Sequence, residues 1–221
     1  MNKGMLKWGY AAGMVVPFWL LLGVAIAGLF YPGYSHLNQA MSELGALQAP
    51  THRLSPLLNN YPLGALFVVF GLALCARFKA SPLARLSGLL VVLHGLASVC
   101  TGYFSCDVGC GLEQPSSRQQ VHNIAGLVMF LSLVIASALW VYLAPRLLYG
   151  KRFAWFSLLS TVLALATLPL MAKAVEAGVG FGLYQRINYG VSVIWVGALA
   201  WQLFQQTHDQ LFFKEEVKTD D

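Results

Sequence analysis

Three residues of types that act together in hydrolytic catalysis lie at the ends of long apolar runs or in a connection between two of them. His122 could act as a general base, Asp107 could orient it, and Ser42 could be the nucleophile of a hydrolase or transferase site. The three come from separate segments, so spacing alone does not bring them together. They are therefore an assembly of candidate catalytic residues.

A second set of polar residues could bind a ligand beside these candidates. Arg186 opens an apolar run, where its guanidinium needs carbonyl oxygens, a carboxylate or an anionic ligand as a partner. Asp107, Glu43 and Glu176 are the protein carboxylates that could serve, and a lipid phosphate is the external alternative. The candidate binding residues are Tyr34, Ser35, His36, Glu43, Asn123, Gln185 and Arg186.

Cys106 and Cys110 flank a bend in the sequence CDVGC, and three interpretations of this pair are open. A structural disulfide is favoured outside the cytoplasm, where close cysteine pairs oxidise. A catalytic thiol pair usually has the spacing C-x-x-C, whereas this one is C-x-x-x-C. A zinc site with His122 has no clear fourth ligand. We predict a disulfide and no cofactor, while zinc remains a weakly supported alternative.

The elements that must position these residues are membrane-spanning helices. The chain of 221 residues is 57% apolar and 10% charged, with a mean hydropathy of +0.63, which is outside the range of soluble proteins. Apolar runs of about 20 residues match the membrane core, and in lipid such runs must be helical. The predicted spans of one transmembrane domain (1–208) are residues 9–30, 61–77, 85–104, 121–144, 153–175 and 184–205, followed by a cytoplasmic tail (209–221).

The basic residues predict how the spans are oriented. Ten of the 14 lie in the terminal segments and in the second and fourth connections, and four lie in the other connections. Basic segments stay in the cytoplasm, so both termini are predicted to be cytoplasmic and the candidate site extracytoplasmic. The net charge of +5 reflects this bias and gives no reason to expect nucleic-acid binding. A signal peptide ending near residues 25–27 is the alternative for the first span.

The first outward connection is long, and its pattern predicts a short amphipathic helix over residues 36–48. Pro32 and Gly33 break the first span, and Ser35 stands where an N-cap would. The polar face of this helix could point to bulk water or over the mouth of the bundle. Two polar stripes at helical spacing, His94, Ser98, Thr101 and Ser105 in one span and Gln185, Asn188 and Ser192 in another, should meet near this mouth. Alternatively, these residues only join helices through hydrogen bonds.

The motifs YPGYSHLNQAMSELGA, CDVGC followed by QVHNIAG, and GLYQR resemble the bacterial and archaeal membrane family DUF998. This resemblance implies an all-α integral membrane protein with a bundle of six transmembrane helices. In a bacterium, such a protein would lie in the cytoplasmic (inner) membrane. It also implies that the signature residues of the family lie on the outer side. These are Tyr34, Ser35, Ser42, Glu43, Asp107, His122, Gln185 and Arg186. No activity comes with the resemblance.

The leading functional hypothesis is an outward-facing polar site that binds a lipid headgroup or a similar amphiphile, with or without hydrolase or transferase chemistry. Membrane lipids are then the expected partners, and the oligomeric state stays open. A transporter-like, flippase-like or purely structural membrane protein is the first alternative. An extracytoplasmic thiol oxidoreductase that uses Cys106 and Cys110 is the second.

Overall fold

The structure, a computed structural model, describes residues 3–111, 113–148 and 150–219, and this part of the chain is all α with no β-strand. The 3-10 helices Met41–Gly45 and Val108–Cys110 lie in two of the connections. The α-helices are α1 (Lys3–Leu29), α2 (Leu54–Leu58), α3 (Asn60–Arg77), α4 (Pro82–Tyr103), α5 (Ser117–Leu147), α6 (Arg152–Ala177) and α7 (Phe181–Thr219).

Six helical segments of the described chain are long and apolar enough to cross a membrane, as predicted. The second comprises α2 and α3 together, Leu54–Arg77, and the sixth runs over Phe181–Thr207 of α7. Large apolar side chains cover the outside of the bundle, for example Leu21, which is 69% exposed. An all-helical bundle with such a surface is a multi-pass membrane protein that contacts lipid. Of the predicted tail, the backbone of 209–219 continues α7, and residues 220–221 lie outside the described ones.

The six long helices form a closed ring in which each packs on its neighbour in sequence and α7 returns to α1. Glycines permit the closest approach, between α3 and α4. A Cβ atom at Gly71 would stand 2.6 Å from the carbonyl oxygen of Gly88, and one at Gly64 would stand 2.7 Å from that of Gly95. Small residues of this kind let membrane helices pack backbone against backbone.

The two ends of the ring are filled differently. We call the end that carries connections 30–53, 104–116 and 178–180 the loop end. Away from it, aromatic side chains fill the centre, where the Trp140 indole donates to the Ser87 hydroxyl (2.8 Å) and the Trp195 indole to the Ser157 hydroxyl (3.0 Å). Near the loop end the centre of the ring holds a cavity instead.

The first connection forms the roof of this cavity, but it does not contain the α-helix predicted over residues 36–48. That prediction is wrong, and only the 3-10 helix Met41–Gly45 forms. The carbonyl groups that such an α-helix would use are bonded to α7: Leu37 accepts from the Leu183 N–H (2.8 Å), Asn38 from the Gly182 N–H (3.3 Å) and Gln39 from the Arg186 guanidinium (3.0 Å). Because each buried carbonyl needs a partner, docking on α7 replaces the helical bonds.

Candidate functional site

The cavity at the loop end has a volume of about 410 Å³ and is lined by all six long helices and by the roof. This volume is typical of sites for small molecules, which enclose roughly 300–1,000 Å³. Met41, Ser42 and Gly45 line it from the roof. The sequence left open whether the first connection faces bulk water or the mouth of the bundle. In the structure, part of this connection covers the mouth.

The cavity lining changes from polar to apolar with distance from the roof. The polar residues Ser42, Asn59, Ser105, His122 and Gln185 lie in the roof or near the helix ends beneath it. The apolar lining lies one to three helical turns deeper and includes Leu20, Val24, Leu127, Phe130, Leu168 and Met171. The predicted polar stripes do meet here, since Ser98, Thr101, Asn188 and Ser192 also line the cavity.

The deeper polar groups are already satisfied within the protein. The Asn188 amide donates to the Ala164 carbonyl (2.7 Å) and to the Thr167 hydroxyl (2.8 Å), and the Ser192 hydroxyl donates to the Asn188 carbonyl (3.3 Å). The two Asn188 bonds join α7 to α6, as such bonds do between transmembrane helices, and the Ser192 bond stays within α7. The deeper part of the cavity therefore offers mainly apolar surface to an occupant.

From the exposure of two lining residues we infer that the cavity opens sideways between α5 and α6. Leu127 of α5 and Leu168 of α6 both line it, yet they are 56% and 40% exposed. Residues that line a cavity and also face the outside mark its opening. The opening lies on the apolar perimeter of the bundle, where lipid chains would pass.

His122 lines the cavity with one ring nitrogen fixed by the protein. Its Nδ1 lies 2.8 Å from the Phe104 carbonyl oxygen and 3.1 Å from the Thr101 carbonyl oxygen. Carbonyl oxygens only accept, so Nδ1 carries the proton in the neutral ring and Nε2 is the acceptor. This is the tautomer that a general base needs.

The structure does not bring Asp107 to His122 as the sequence-based triad required. The Asp107 carboxylate accepts from the backbone N–H (2.8 Å) and hydroxyl (2.6 Å) of Ser116, the N-cap of α5. These two bonds lower the pKa of Asp107 below its ordinary value of 3.8, the hydroxyl contributing most. Asp107 thus holds the start of α5, and carbonyl groups orient His122 in its place.

Arg186 holds the roof through a set of contacts that we call the Arg186 cluster: Tyr34, His36, Gln39, Gly182 and Arg186. The guanidinium donates to the carbonyls of Gln39 (3.0 Å) and Gly182 (2.9 Å), to the Tyr34 hydroxyl (2.7 Å) and to Nδ1 of His36 (3.2 Å). Its Nε atom is buried and has no hydrogen-bond partner in the described chain. Arg186 is not among the residues that line the cavity.

The electrostatics of the Arg186 cluster follow from burial and from the guanidinium charge. Burial raises the pKa of the Tyr34 phenol above 10.0, although the charge opposes this, so the hydroxyl stays protonated and donates to the Ala40 carbonyl (2.8 Å). Burial and the same charge lower the pKa of His36 below 6.5. A neutral His36 can therefore accept from Arg186.

The other candidate binding residues divide between the roof and the cavity. Glu43 accepts from the Ala40 N–H (2.7 Å) and the Gln39 amide (2.8 Å), and Ser35 accepts from the Asn38 N–H (3.3 Å), so both shape the roof. Gln185 lines the cavity while its Oε1 accepts from the Met41 N–H (2.7 Å). Asn123 is exposed and is not part of the cavity lining.

The second connection is fastened to the roof beside the cavity. Cys106 and Cys110 stand at disulfide-bonding distance, with Cα atoms 5.1 Å apart. The Leu47 N–H donates to the Cys106 carbonyl (3.0 Å), and the Cys106 sulfur lies 3.6 Å from the Ser42 carbonyl oxygen. In the described residues, no group of three or more His, Cys, Asp or Glu side chains is arranged to hold a metal ion.

Sequence reasoning missed Asn59 as a site residue. Asn59 belongs to the cavity lining and is only 6% exposed, and both atoms of its amide are buried without a hydrogen-bond partner within the described ranges. It interrupts the helix between α2 and α3 and stands against Gly23 of α1, whose missing side chain leaves room for the amide. The signal was the pair Asn59 and Asn60 immediately before the predicted span 61–77.

A second missed feature is a buried polar pair at the cavity wall. Tyr189 lines the cavity, and its hydroxyl lies 3.0 Å from Nε2 of His94. His94 is fully buried, with Nδ1 3.0 Å from the Met129 carbonyl oxygen. Nδ1 is therefore the donor and Nε2 accepts from Tyr189. His94 is a satisfied core histidine, as its position in the middle of a span favoured.

Comparison with known proteins identifies one match. The family model described as "Protein of unknown function (DUF998)" covers residues 14–202. No curated protein and no solved structure matches the chain. Every residue that lines the cavity, and every residue of the Arg186 cluster, falls within the matched range.

Proposed function

The chain belongs to the DUF998 family, and we propose that it binds a membrane lipid or similar amphiphile in the cavity at the loop end. The polar head would lie beneath the roof, beside His122, Ser42 and Gln185. The acyl chains would follow the apolar lining and leave between α5 and α6. The distribution of basic residues supports placing the loop end outside a bacterial inner membrane.

The observation that carries this proposal is the polarity gradient of the cavity together with its opening. A water-filled cavity for a soluble ligand would not need an exit lined by Leu127 and Leu168 on the lipid-facing surface. A wholly apolar gap between helices would not collect the polar groups of His122, Asn59 and Ser105 at one end. A molecule with a polar head and an apolar tail satisfies both ends.

A reaction at this site is favoured by the orientation of His122. Ser42 and Ser105 line the same cavity as His122, whose Nε2 is the acceptor. In an acyl transfer, a serine oxygen would attack the ester carbonyl while Nε2 takes the hydroxyl proton, which later passes to the leaving alcohol. Water or a second alcohol would then release the acyl group. Asp107 has no part in this version.

Filling the cavity tests the binding proposal. Gly126 lines the cavity and a Cβ there meets no atom within 4 Å, so Gly126→Leu should place its side chain in the cavity and leave the helix intact. Gly190 is equally open but is not part of the lining, so Gly190→Leu is the matched control. We expect native mass spectrometry to find co-purified lipid on the wild type and on Gly190→Leu, and much less on Gly126→Leu. Equal lipid retention by all three proteins would refute the proposal.

The reaction has a separate test. The purified protein in nanodiscs is incubated with an ester lipid that releases a fluorescent acyl chain. We expect release by the wild type and none by His122→Gln, with Ser42→Ala and Ser105→Ala showing which hydroxyl attacks. Release that persists in all three variants at the rate of the wild type would exclude this chemistry while leaving lipid binding in place.

A further inference from the structure

The cavity contains polar groups but no permanent charge. Of the described residues that line it, none is Asp, Glu, Lys or Arg, and His122 is the only imidazole. A charged headgroup transferred from water into such a cavity would lose hydration without gaining a partner of opposite charge. An uncharged headgroup with hydrogen-bonding capacity does not meet this cost.

The charged residues nearest the cavity are committed elsewhere. The two terminal nitrogens of Arg186 donate to the roof and to its own helix, while its Nε is buried without a partner in the described chain. Glu43 accepts hydrogen bonds from roof amides with both carboxylate oxygens. Asp107 is bonded to Ser116 outside the lining. An anionic phosphate could recruit the terminal nitrogens of Arg186 only by breaking the contacts of the Arg186 cluster that hold the roof over the site, and Arg186 is not part of the cavity lining.

Asn59 indicates which neutral groups would be recognised. Its amide oxygen and nitrogen are both buried without a partner in the part of the chain that is described, and few buried polar groups remain so in folded proteins. A ligand hydroxyl both donates and accepts, so a single hydroxyl could pair with either amide atom once the Asn59 side chain turns from Gly23 toward the cavity. Nearby, His122 offers an acceptor in Nε2, and Ser42, Ser105 and Gln185 add further polar groups.

We propose that the ligand is an uncharged glyceride-type lipid, whose head carries free hydroxyl and ester groups, such as a mono- or diacylglycerol. This inference rests on the proposed function and specifies its substrate class. The volume of about 410 Å³ would hold the glycerol head, the ester groups and the first methylenes, while the chains continue into the membrane. Asn59 would bind the free hydroxyl, and the ester carbonyls would lie toward His122.

The test compares two lipids that differ only in a phosphate. The wild type in phosphatidylcholine nanodiscs is cross-linked to a photoactivatable diacylglycerol, and unlabelled dioleoylglycerol or dioleoylphosphatidate is added as competitor. We expect dioleoylglycerol to halve the cross-linking at a mole fraction at least tenfold lower than dioleoylphosphatidate. In Asn59→Leu, the mole fraction of dioleoylglycerol that halves the cross-linking should rise at least fivefold. Asn60→Leu is not a suitable control, because Asn60 also lines the cavity. Gly190→Leu serves as control again.

The outcomes separate this inference from the proposed function. Competition by phosphatidate at the same or a lower mole fraction overturns the neutral-lipid inference and leaves lipid binding standing. Cross-linking that Gly126→Leu does not reduce overturns both, because the label would then lie outside the cavity. The comparison of lipids needs only the wild type, so the inference stays testable even if Asn59→Leu fails to fold.

Discussion

Replacing Arg186 by glutamine should loosen the roof without unfolding the bundle. The substitution removes three charge-assisted contacts to the first connection, with the Gln39 carbonyl, the Tyr34 hydroxyl and His36. Hydrogen bonds to a charged group contribute about 1.5–3 kcal/mol each in net terms. Arg186 is half-buried, and glutamine can keep one contact, so we expect the opening of the roof to become easier by about 2–3 kcal/mol in total.

Hydrogen exchange measures this opening directly. If residues 34–45 exchange through local opening, a loss of about 2–3 kcal/mol speeds their exchange by roughly 30- to 150-fold. Peptides from the aromatic core, such as 64–75, should exchange as in the wild type, because the core lies away from the Arg186 cluster. The backbone bonds from Gly182 and Leu183 to the roof remain, so the roof should loosen rather than detach.

Two further variants decide between a local and a general effect of charge. Lys173→Gln removes the same charge at the same end of the bundle from an exposed side chain, and it should leave the roof peptides unchanged. Arg186→Lys keeps the charge but loses the planar fork that reaches several acceptors, and it should resemble Arg186→Gln. Wild-type exchange in Arg186→Lys would refute the reasoning, since charge alone would then hold the roof.

Other predictions concern the packing and the connections around the site. Gly182→Ala should also speed exchange of the roof peptides, because a Cβ there would contact the carbonyl oxygens of Gln39 and His36, the latter at 2.8 Å; unchanged exchange would contradict this close approach. Cys110→Ser should lower the free energy of unfolding by about 2 kcal/mol in chemical denaturation, the loop-closure value for so short a loop, and reductant should destabilise the wild type but not the variant. The ionised Asp107 carboxylate stabilises the start of α5, and its pKa is lowered from the ordinary value of 3.8. This stabilisation is fully present above pH 3.8 and is lost as the pH falls through the lowered pKa. Asp107→Asn should therefore lower the Tm at pH 7, with a difference from the wild type that shrinks below pH 3.8; a constant difference would contradict this assignment.

The lengths of the apolar runs predicted the bundle, because hydropathy alone selects membrane-spanning helices. The predicted span 61–77 corresponds to α3, Asn60–Arg77, and 85–104 to α4, Pro82–Tyr103. The convergence of the polar stripes also followed from helical spacing, which determines the faces of Ser98 and Asn188 once helices are assumed. Both inferences depend only on the hydropathy and the helical spacing within one segment, and each segment can be analysed without knowing its neighbours.

The connections could not be predicted in the same way. Residues 36–48 have the spacing of an amphipathic helix, yet their carbonyl groups bond to α7, some 145 positions away in sequence. Likewise, nothing in the spacing of Asp107 indicates that its carboxylate would hold Ser116 rather than His122. These choices depend on which groups the assembled bundle leaves without partners, and a single sequence does not contain that information in any one segment.

At the loop end, charged residues hold the roof, whereas the cavity is lined by uncharged polar residues. Arg186 and Glu43 fix the segment that carries Met41, Ser42 and Gly45 over the cavity, so they influence binding without contacting the ligand. If the roof only covers a lipid that enters from the side, Arg186→Gln should speed dissociation of a bound diacylglycerol while changing its preference over phosphatidate little. If Arg186 instead binds a phosphate, the variant should lose affinity for phosphatidate selectively. Measuring the dissociation rate and the preference in the same nanodiscs therefore shows whether Arg186 acts through the roof or on the ligand itself.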